Sequence, residues 1–443
     1  MTKANEPKAV KRASPGAGSF KFDLNRGLWV GRLTLPIDPI TGKPRRLAIT
    51  GVDEGATYEK FEAAKLALKV SGNARTRNPS LAEYLGQWQK GLTVRPRTAD
   101  SYRSNCRLYI LPAIGKVKLS HLTTNDIRKL QRFVLQKGLS STTARTAQTV
   151  LTVALNQAVA DRLMDWNPSS ALKRLAADVI DEKFLTVAQT RQVLAHVVGD
   201  RMIARWTLAL LTGCRQGEAL GLERSRVILT PGAETVDLSW QLQRLVWAHG
   251  DRCLDAKTGR PACERKRGAD CPTRQITIPH GFEMRVVSGG LVLTRPKTGT
   301  SNRRVPLVEP LLSMIRDRYA AAGLEHNPND LMFTQEAHRR IYAGDKYRDG
   351  GAPYNPAEDN RRWHRLLVAA GVEEQGILVY TLHSTRHSAI STLSALRVPL
   401  AVRMQITGHA SSRVHSGYDH NEDLSEAREA LAALGTLFTS ADD

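Results

Sequence analysis

The sequence predicts a multidomain chain made of three parts: a small module of three strands and a helix, an all-α helical bundle, and a larger mixed, mainly α, α+β domain. Three observations lead there. A chain of 443 residues holds about two to four domains at roughly 100–200 residues each. Strand-like runs crowd the first 50 residues, and helical periodicity then continues almost unbroken over 80–172. From about residue 180 the pattern alternates between short strands and helices to the C-terminus.

Residues 1–18 are basic and rich in Ala, Gly and Pro, which predicts a disordered lead-in. In the module at 19–72, FKFDL (20–24), GLWVGRLTLP (27–36) and RRLAIT (45–50) read as strands, with the turn DPITGK between the last two. TYEKFEAAKLALKV (57–70) has apolar residues at helical spacing, and Thr57 is the predicted N-cap. Trp29 is expected in this module's core. A linker precedes the second domain, 79–175, where helices are predicted over 80–90, 97–111, 123–137 and 141–160. The segment ILPAIGKVKLSHL interrupts the second and third, and Asn167-Pro168 is expected to end the last. The third domain is assigned to 180–443, with an insertion at 248–290 and an amphipathic helix at 422–438.

Charge narrows the function. Lys and Arg total 64 against 43 Asp and Glu, a formal net charge of +21. Such a surplus concentrates polyanions around the chain. The cations are spread along the sequence instead of lining one amphipathic stripe, which disfavours a membrane partner. No run of 18 apolar residues occurs, and the N-terminus lacks an apolar signal core. Five cysteines, an odd number, give no disulfide framework. A cytoplasmic, nucleic-acid-binding protein is the expectation.

The chemistry-bearing residues lie in the third domain. WTLALLTGCRQGEALGL (206–222) reads as an apolar helix stopped at Gly213, with Arg215 and Glu218 opening a second helix. LVLTRPKTGTSNRRVPL (291–307) reads as a β-hairpin carrying Lys297. HSTRH (383–387) leads into a helix, and ITGHASSRVHSGYDH (406–420) places His409 nine residues before Tyr418. Paired arginines fit the non-bridging oxygens of one phosphodiester. Histidine donates to the same oxygens or moves protons near neutral pH, lysine protonates a leaving oxygen, and tyrosine serves as a covalent nucleophile. Singly, each has a bland reading: an ion-paired arginine, a solvated lysine, a capping histidine, a packing tyrosine. The ordered conjunction is far more specific than any member.

In these four segments the C-terminal half resembles the catalytic domain of the tyrosine recombinases, the integrase family of phages and integrative elements. The resemblance implies catalytic roles for Arg215, Lys297, His383, Arg386, His409 and Tyr418. Arg215, Arg386 and His409 would bind the scissile phosphate, with His383 assisting. Lys297 would protonate the leaving 5′-oxygen, and Tyr418 would form a 3′-phosphotyrosyl link. Bond energy is conserved in that link, so no nucleotide cofactor is required, and the cations replace a metal in stabilising charge. Region 80–172 is similar to the family's core-binding domain, and the N-terminal module resembles an arm-type DNA-binding domain. The implied partners are core-type and arm-type double-stranded attachment sites, three further copies of the chain in a homotetramer that passes through a Holliday junction, and an accessory bending or excision factor, at the nucleoid of a bacterial host. Glu218 is expected either to orient Arg215 or to pair at the surface. The C-terminal helix packs either on a neighbouring subunit or on its own domain. Type IB topoisomerases share the chemistry, although their domain layout fits this chain less well.

The insertion departs from the family pattern. It holds Cys253, Cys263 and Cys271, with His249 and His280 nearby. Three cysteines and a histidine suit a tetrahedral zinc site, and His249 is the candidate fourth ligand. The absence of a close C-x2-C pair instead favours a basic loop with free thiols and no metal. Cys214 and Cys106 are expected to pack.

Overall fold

The computed structural model describes residues 18–35, 45–71, 78–176, 183–255, 261–296, 302–337, 347, 349–408 and 424–439. The chain divides into two compact units, Met1–Val94 with Thr98–Val179, and Ile180–Asp443 with Arg95–Arg97.

In the first unit, β1 (Gly18–Asp23), β2 (Leu28–Leu35) and β3 (Arg45–Gly51) form an antiparallel sheet in sequence order. Helix α1 (Glu54–Ser71) packs on it. The helix begins before Thr57, because the Asp53 carboxylate accepts from Ala56 N at 2.7 Å; Thr57 is therefore a buried first-turn residue and not the cap. Phe61 lies across Gly31 so closely that a Cβ there would sit 2.4 Å from the ring. Trp29 stacks on Phe20 at 5.4 Å and meets Phe22 edge-on. This aromatic layer compensates for a module too small to bury many aliphatic side chains.

The bundle of the same unit comprises α2 (Leu81–Trp88), α3 (Pro96–Asn105), α4 (Leu111–Ile114), α5 (Thr124–Gln136), α6 (Ser141–Ala160) and α7 (Pro168–Ala171). Capping boxes at Ser80/Glu83 and Thr123/Asp126 start α2 and α5. A π-helical turn over Cys106–Ile110 carries α3 into α4, so helix persists into the segment read as a break. Asn167 opens a helix instead of closing one: its side chain accepts from Ser169 N, and Pro168 takes the first position, where no N–H is needed. Buried polar groups in the bundle pair with each other, as in Gln131 to Gln148 at 2.9 Å and Gln148 to the Leu172 carbonyl at 3.1 Å.

The second unit opens with α8 (Val187–His196) and α9 (Ile203–Thr212), whose side chains from Ala204 to Thr212 are all buried. Gly213 ends α9 at φ 60°, a left-handed cap that favours glycine. Then come α10 (Gln216–Leu220), β4 (Val227–Ile228), β5 (Thr235–Asp237), β6 (Gln241–Arg244), β7 (Met284–Ser288), β8 (Leu291–Thr294) and β9 (Arg304–Pro306). Helices α11 (Leu311–Leu324), α12 (Pro356–Ala369), α13 (Ser384–Ala395), α14 (Leu400–Thr407) and α15 (Ser425–Thr439) complete the unit. Two antiparallel sheets form, ordered β4-β5-β9 and β6-β8-β7.

That topology corrects the hairpin expected over 291–307. β8 turns back on β7 through Gly289-Gly290, with Gly289 at φ 54°, while β9 pairs with β5 in the other sheet. The glycine pair supplies the tight turn, so the strands flanking Lys297 belong to different sheets. It also shortens the insertion, since residues 284–288 of the predicted span are β7. Helix α15 buries Ala427, Leu431, Leu434 and Phe438 in the core of its own unit, against α8, α9 and α14. Among the described residues no helix is long and apolar enough to cross a membrane.

Candidate active site

Three arginines converge on the C-terminal turn of α14. Arg386, on the first turn of α13, is 1% exposed, and its Nη1 donates to the Gly213 carbonyl at 2.8 Å and to the Thr407 carbonyl. Arg303 Nε donates to the Ile406 carbonyl at 2.8 Å, and Arg215 Nη2 to the Gly408 carbonyl at 3.4 Å. Gly213 and Gly408 are the left-handed caps of α9 and α14. The Arg386 guanidinium thus sits between the negative ends of two helices, which offset part of its charge; it pairs with no carboxylate among the described residues.

One buried carboxylate organises the other two arginines. Glu218 accepts from Arg215 Nη1 at 2.7 Å, from Arg215 N at 2.9 Å and from Arg303 Nη2 at 3.0 Å. Burial raises the Glu218 carboxyl, but the Arg303 charge and the further hydrogen bonds outweigh it and hold the group below its ordinary range. Glu218 therefore orients Arg215, the first of the two roles expected for it. Arg215 is 36% exposed at its side chain, whereas Glu218 is fully buried, so the guanidinium reaches from a fixed base toward solvent.

Arg386 is the incomplete member. Among the described residues its Nε and Nη2 are buried and have no hydrogen-bond partner. Burial, then repulsion from Arg215 and Arg303, brings its guanidinium down to about 10, still charged at neutral pH. Unpaired buried donors on a cation are costly. An anion accepting from them would remove that cost.

His383 immediately precedes α13, and its ring meets His387 edge-to-face at 4.8 Å. Lys297, His409 and Tyr418 lie outside the described residues. The structure therefore gathers Arg215 and Arg386 around the end of α14 and adds Arg303, which the sequence reading did not single out. Its signal was strand alternation in RRVP: Arg303 is buried, Arg304 exposed and Val305 buried.

The cysteines separate into two classes. Burial pushes the Cys106 thiol up to about 12 and also raises that of Cys214, so both are packing residues. In the insertion, the ligand atoms of His249, Cys253, Cys263 and Cys271 all lie within 4.8 Å of one another. There the Cys271 thiol, in a 3.5 Å contact with Thr273 Oγ1, is brought down to about 6, chiefly by that hydrogen bond.

Comparison with known proteins follows the same division. The phage integrase family profile matches residues 281–424, and the profile of the phage integrase N-terminal SAM-like domain matches 80–135. An integrase of Saccharopolyspora erythraea is 28% identical over 453 aligned positions, covering 96% of this chain and 98% of that protein. A protein named tyrosine recombinase XerC-like, from Caldanaerobacter subterraneus, is 23% identical, covering 78% of this chain and 79% of that one. The fold is similar to that of a fragment of the Tn1549 transposon integrase in complex with a circular intermediate DNA: TM-score 0.54, 18% identity, 75% of this chain and 92% of that chain. The chain thus carries a phage integrase family domain and a phage integrase N-terminal SAM-like domain, and it aligns almost end to end with a relative named integrase.

Proposed function

We propose that this chain is a site-specific recombinase that breaks and rejoins double-stranded DNA through a 3′-phosphotyrosyl intermediate, integrating and excising a phage or mobile element. The carrying observation is Arg386: a buried cation held between two helix C-termini, with two donors left over and Arg215 and Arg303 beside it. A phosphodiester is the anion that suits such a socket in a chain of net charge +21.

In this reading Arg215 and Arg386 hold the two non-bridging oxygens and stabilise the charge that builds on them, with His409 donating alongside. The Tyr418 phenol oxygen attacks phosphorus in line. A Tyr–O–P bond forms, the bond from phosphorus to the 5′-oxygen breaks, and Lys297 protonates the departing oxygen. His383 carries away the phenolic proton. Reversal with a 5′-hydroxyl from the partner duplex reseals the strand without external energy. Core-type and arm-type sites as substrates, a homotetramer on DNA and an accessory bending factor belong to the same proposal. It is supported by the four motif segments and by relatives that are named integrases.

The test is covalent trapping. Wild-type protein incubated with a nicked duplex bearing a candidate site should give a protein–DNA adduct that survives a denaturing gel, and Tyr418→Phe should give none. An adduct of equal yield from the Phe variant would remove Tyr418 from its role. Exchange between two short sites, as opposed to relaxation of any supercoiled plasmid, separates a recombinase from a topoisomerase.

A further inference from the structure

The insertion between β6 and β7 has an unusual interior. Among its described residues from Val246 to Glu283, the only buried ones are Gly250, Cys253 and Cys271. Of its larger apolar side chains, Val246, Leu254 and Ile278 are exposed, and Trp247, Ile276 and Phe282 are only partly buried. Regular structure is limited to single turns at Asp251–Cys253 and Gly268–Asp270 and to isolated bridges such as Ala248 with Gln275. A lobe of this size without an apolar core normally needs a cross-link or a metal to hold one shape.

The two turns are built alike. In Gly250-Asp251-Arg252-Cys253 and Gly268-Ala269-Asp270-Cys271, each cysteine N–H donates back to the glycine carbonyl three residues earlier, at 2.8 and 3.1 Å. Both glycines are packed where no side chain fits: a Cβ would lie 1.9 Å from the Thr273 carbonyl oxygen at Gly250, and 2.3 Å from that of Trp247 at Gly268. Glu264, directly after Cys263, adopts a left-handed φ of 56°, a strained conformation for a residue with a side chain. Three separate backbone devices thus turn three sulfurs toward one imidazole.

The spacing suits a single ion. Tetrahedral ligands at zinc distances stand about 3.5 Å apart for sulfur and nitrogen, and about 3.8 Å for two sulfurs. His249 Nδ1 lies 3.4 Å from Cys263 Sγ and 3.9 Å from Cys253 Sγ, and all four donor atoms fall within 4.8 Å of one another. A disulfide would use two of the sulfurs and leave the third, with the histidine, unexplained. Thiolates with one imidazole select zinc among common cellular cations. Four protein ligands fill the tetrahedron, so the site is structural and leaves no position for substrate. The same lobe carries exposed Arg252, Arg265, Lys266 and Arg274, and neighbouring cations favour thiolate over thiol.

We propose that His249, Cys253, Cys263 and Cys271 bind one zinc ion that takes the place of an apolar core in the insertion. The test uses the full-length protein, purified without chelator, with metal counted by mass spectrometry. About one zinc per chain is expected, falling at least tenfold in Cys253→Ser and Cys271→Ser while His280→Ala retains it. Should the serine variants fail to fold, wild-type protein stripped of metal and given cobalt(II) should show the intense visible absorption of a tetrahedral thiolate complex, bleached by an equivalent of zinc. A stripped protein that takes up neither ion, or full zinc content in both serine variants, would overturn the site.

Discussion

Two arginine–glutamate clusters in the second unit use the same chemistry to opposite ends. In one, Glu325 is gripped by two guanidiniums, Arg201 at 2.5 Å and Arg318 at 2.6 Å, and Arg318 Nε also donates to the Met332 carbonyl at 2.7 Å. In the other, Glu218 serves Arg215 and Arg303, but a third arginine, Arg386, stands beside them with no carboxylate of its own among the described residues. Arg201 leaves one nitrogen unpaired among the described residues, whereas Arg386 leaves two. The closed cluster fastens the chain after α11 to the start of α9. The open one has charge and donors to spare. Among the described residues Arg386 alone leaves two buried nitrogens unpaired, and that surplus marks the candidate site more sharply than any one residue type.

Mutating one buried arginine from each cluster, Arg386 and Arg318, tests the contrast most strongly. Arg386→Ala should slow covalent adduct formation by about 10³-fold or more, as expected for loss of a transition-state donor pair, while the melting temperature holds or rises because an underpaired buried cation is gone. Arg318→Ala should do the reverse. It should cost about 3 kcal/mol of stability, as breaking a buried pair does, and leave the adduct rate of the folded protein within about tenfold of wild type. Denaturation curves and adduct time courses on both variants check this, and a swap of the two outcomes would abolish the distinction.

Acid sharpens it next. Burial raises the Glu325 carboxyl, but hydrogen bonds and charge from Arg318 and Arg201 outweigh that and hold it at about 2, against an ordinary 4.5. Its folded value is depressed, so its contribution is present above about 4.5 and is lost as pH falls through about 2. The loss is at most about 3 kcal/mol. Chemical denaturation across that window should show wild type weakening and Glu325→Gln changing less. The smallest expected effect is a ligand shift. Inorganic phosphate at about ten times its dissociation constant should stabilise wild type and Arg318→Ala by about 1.4 kcal/mol. It should leave Arg386→Ala unmoved in the same thermal melts.

How much of this was legible depends on how local the signal is. The stop at Gly213 and the Arg215/Glu218 pair opening α10 follow from a left-handed cap and an i, i+3 contact, both readable within one segment. Arg386 on the first turn of α13 is similarly local. The pairing of β8 with β7 had a local signal, the Gly289-Gly290 turn, but the pairing of β9 with the distant β5 was not readable from any one segment. The burial of Arg303 depends on the phase of a three-residue strand. Cys253, Cys263 and Cys271 lack close spacing, yet matching turns bring two of them to the same histidine. Asp53 displaced Thr57 as the cap of α1 because only the real helix start shows which carboxylate lies within reach.

Helix α15 has a consequence for the reach of the proposed nucleophile, Tyr418. It docks on its own unit, with Arg191 Nε donating to the Leu437 carbonyl at 2.8 Å, so the described residues on either side of position 418 both belong to that unit. On one side is Gly408, where a Cβ would lie 2.7 Å from Arg303 Nη1, and on the other is the first turn of α15. Six residues from Tyr418 to Leu424 stretch no further than about 20 Å. Under the proposed role of Tyr418, a phosphate held by another copy meets the phenol only where that copy brings it inside this radius of the α15 entrance, extended by the length of the tyrosine side chain.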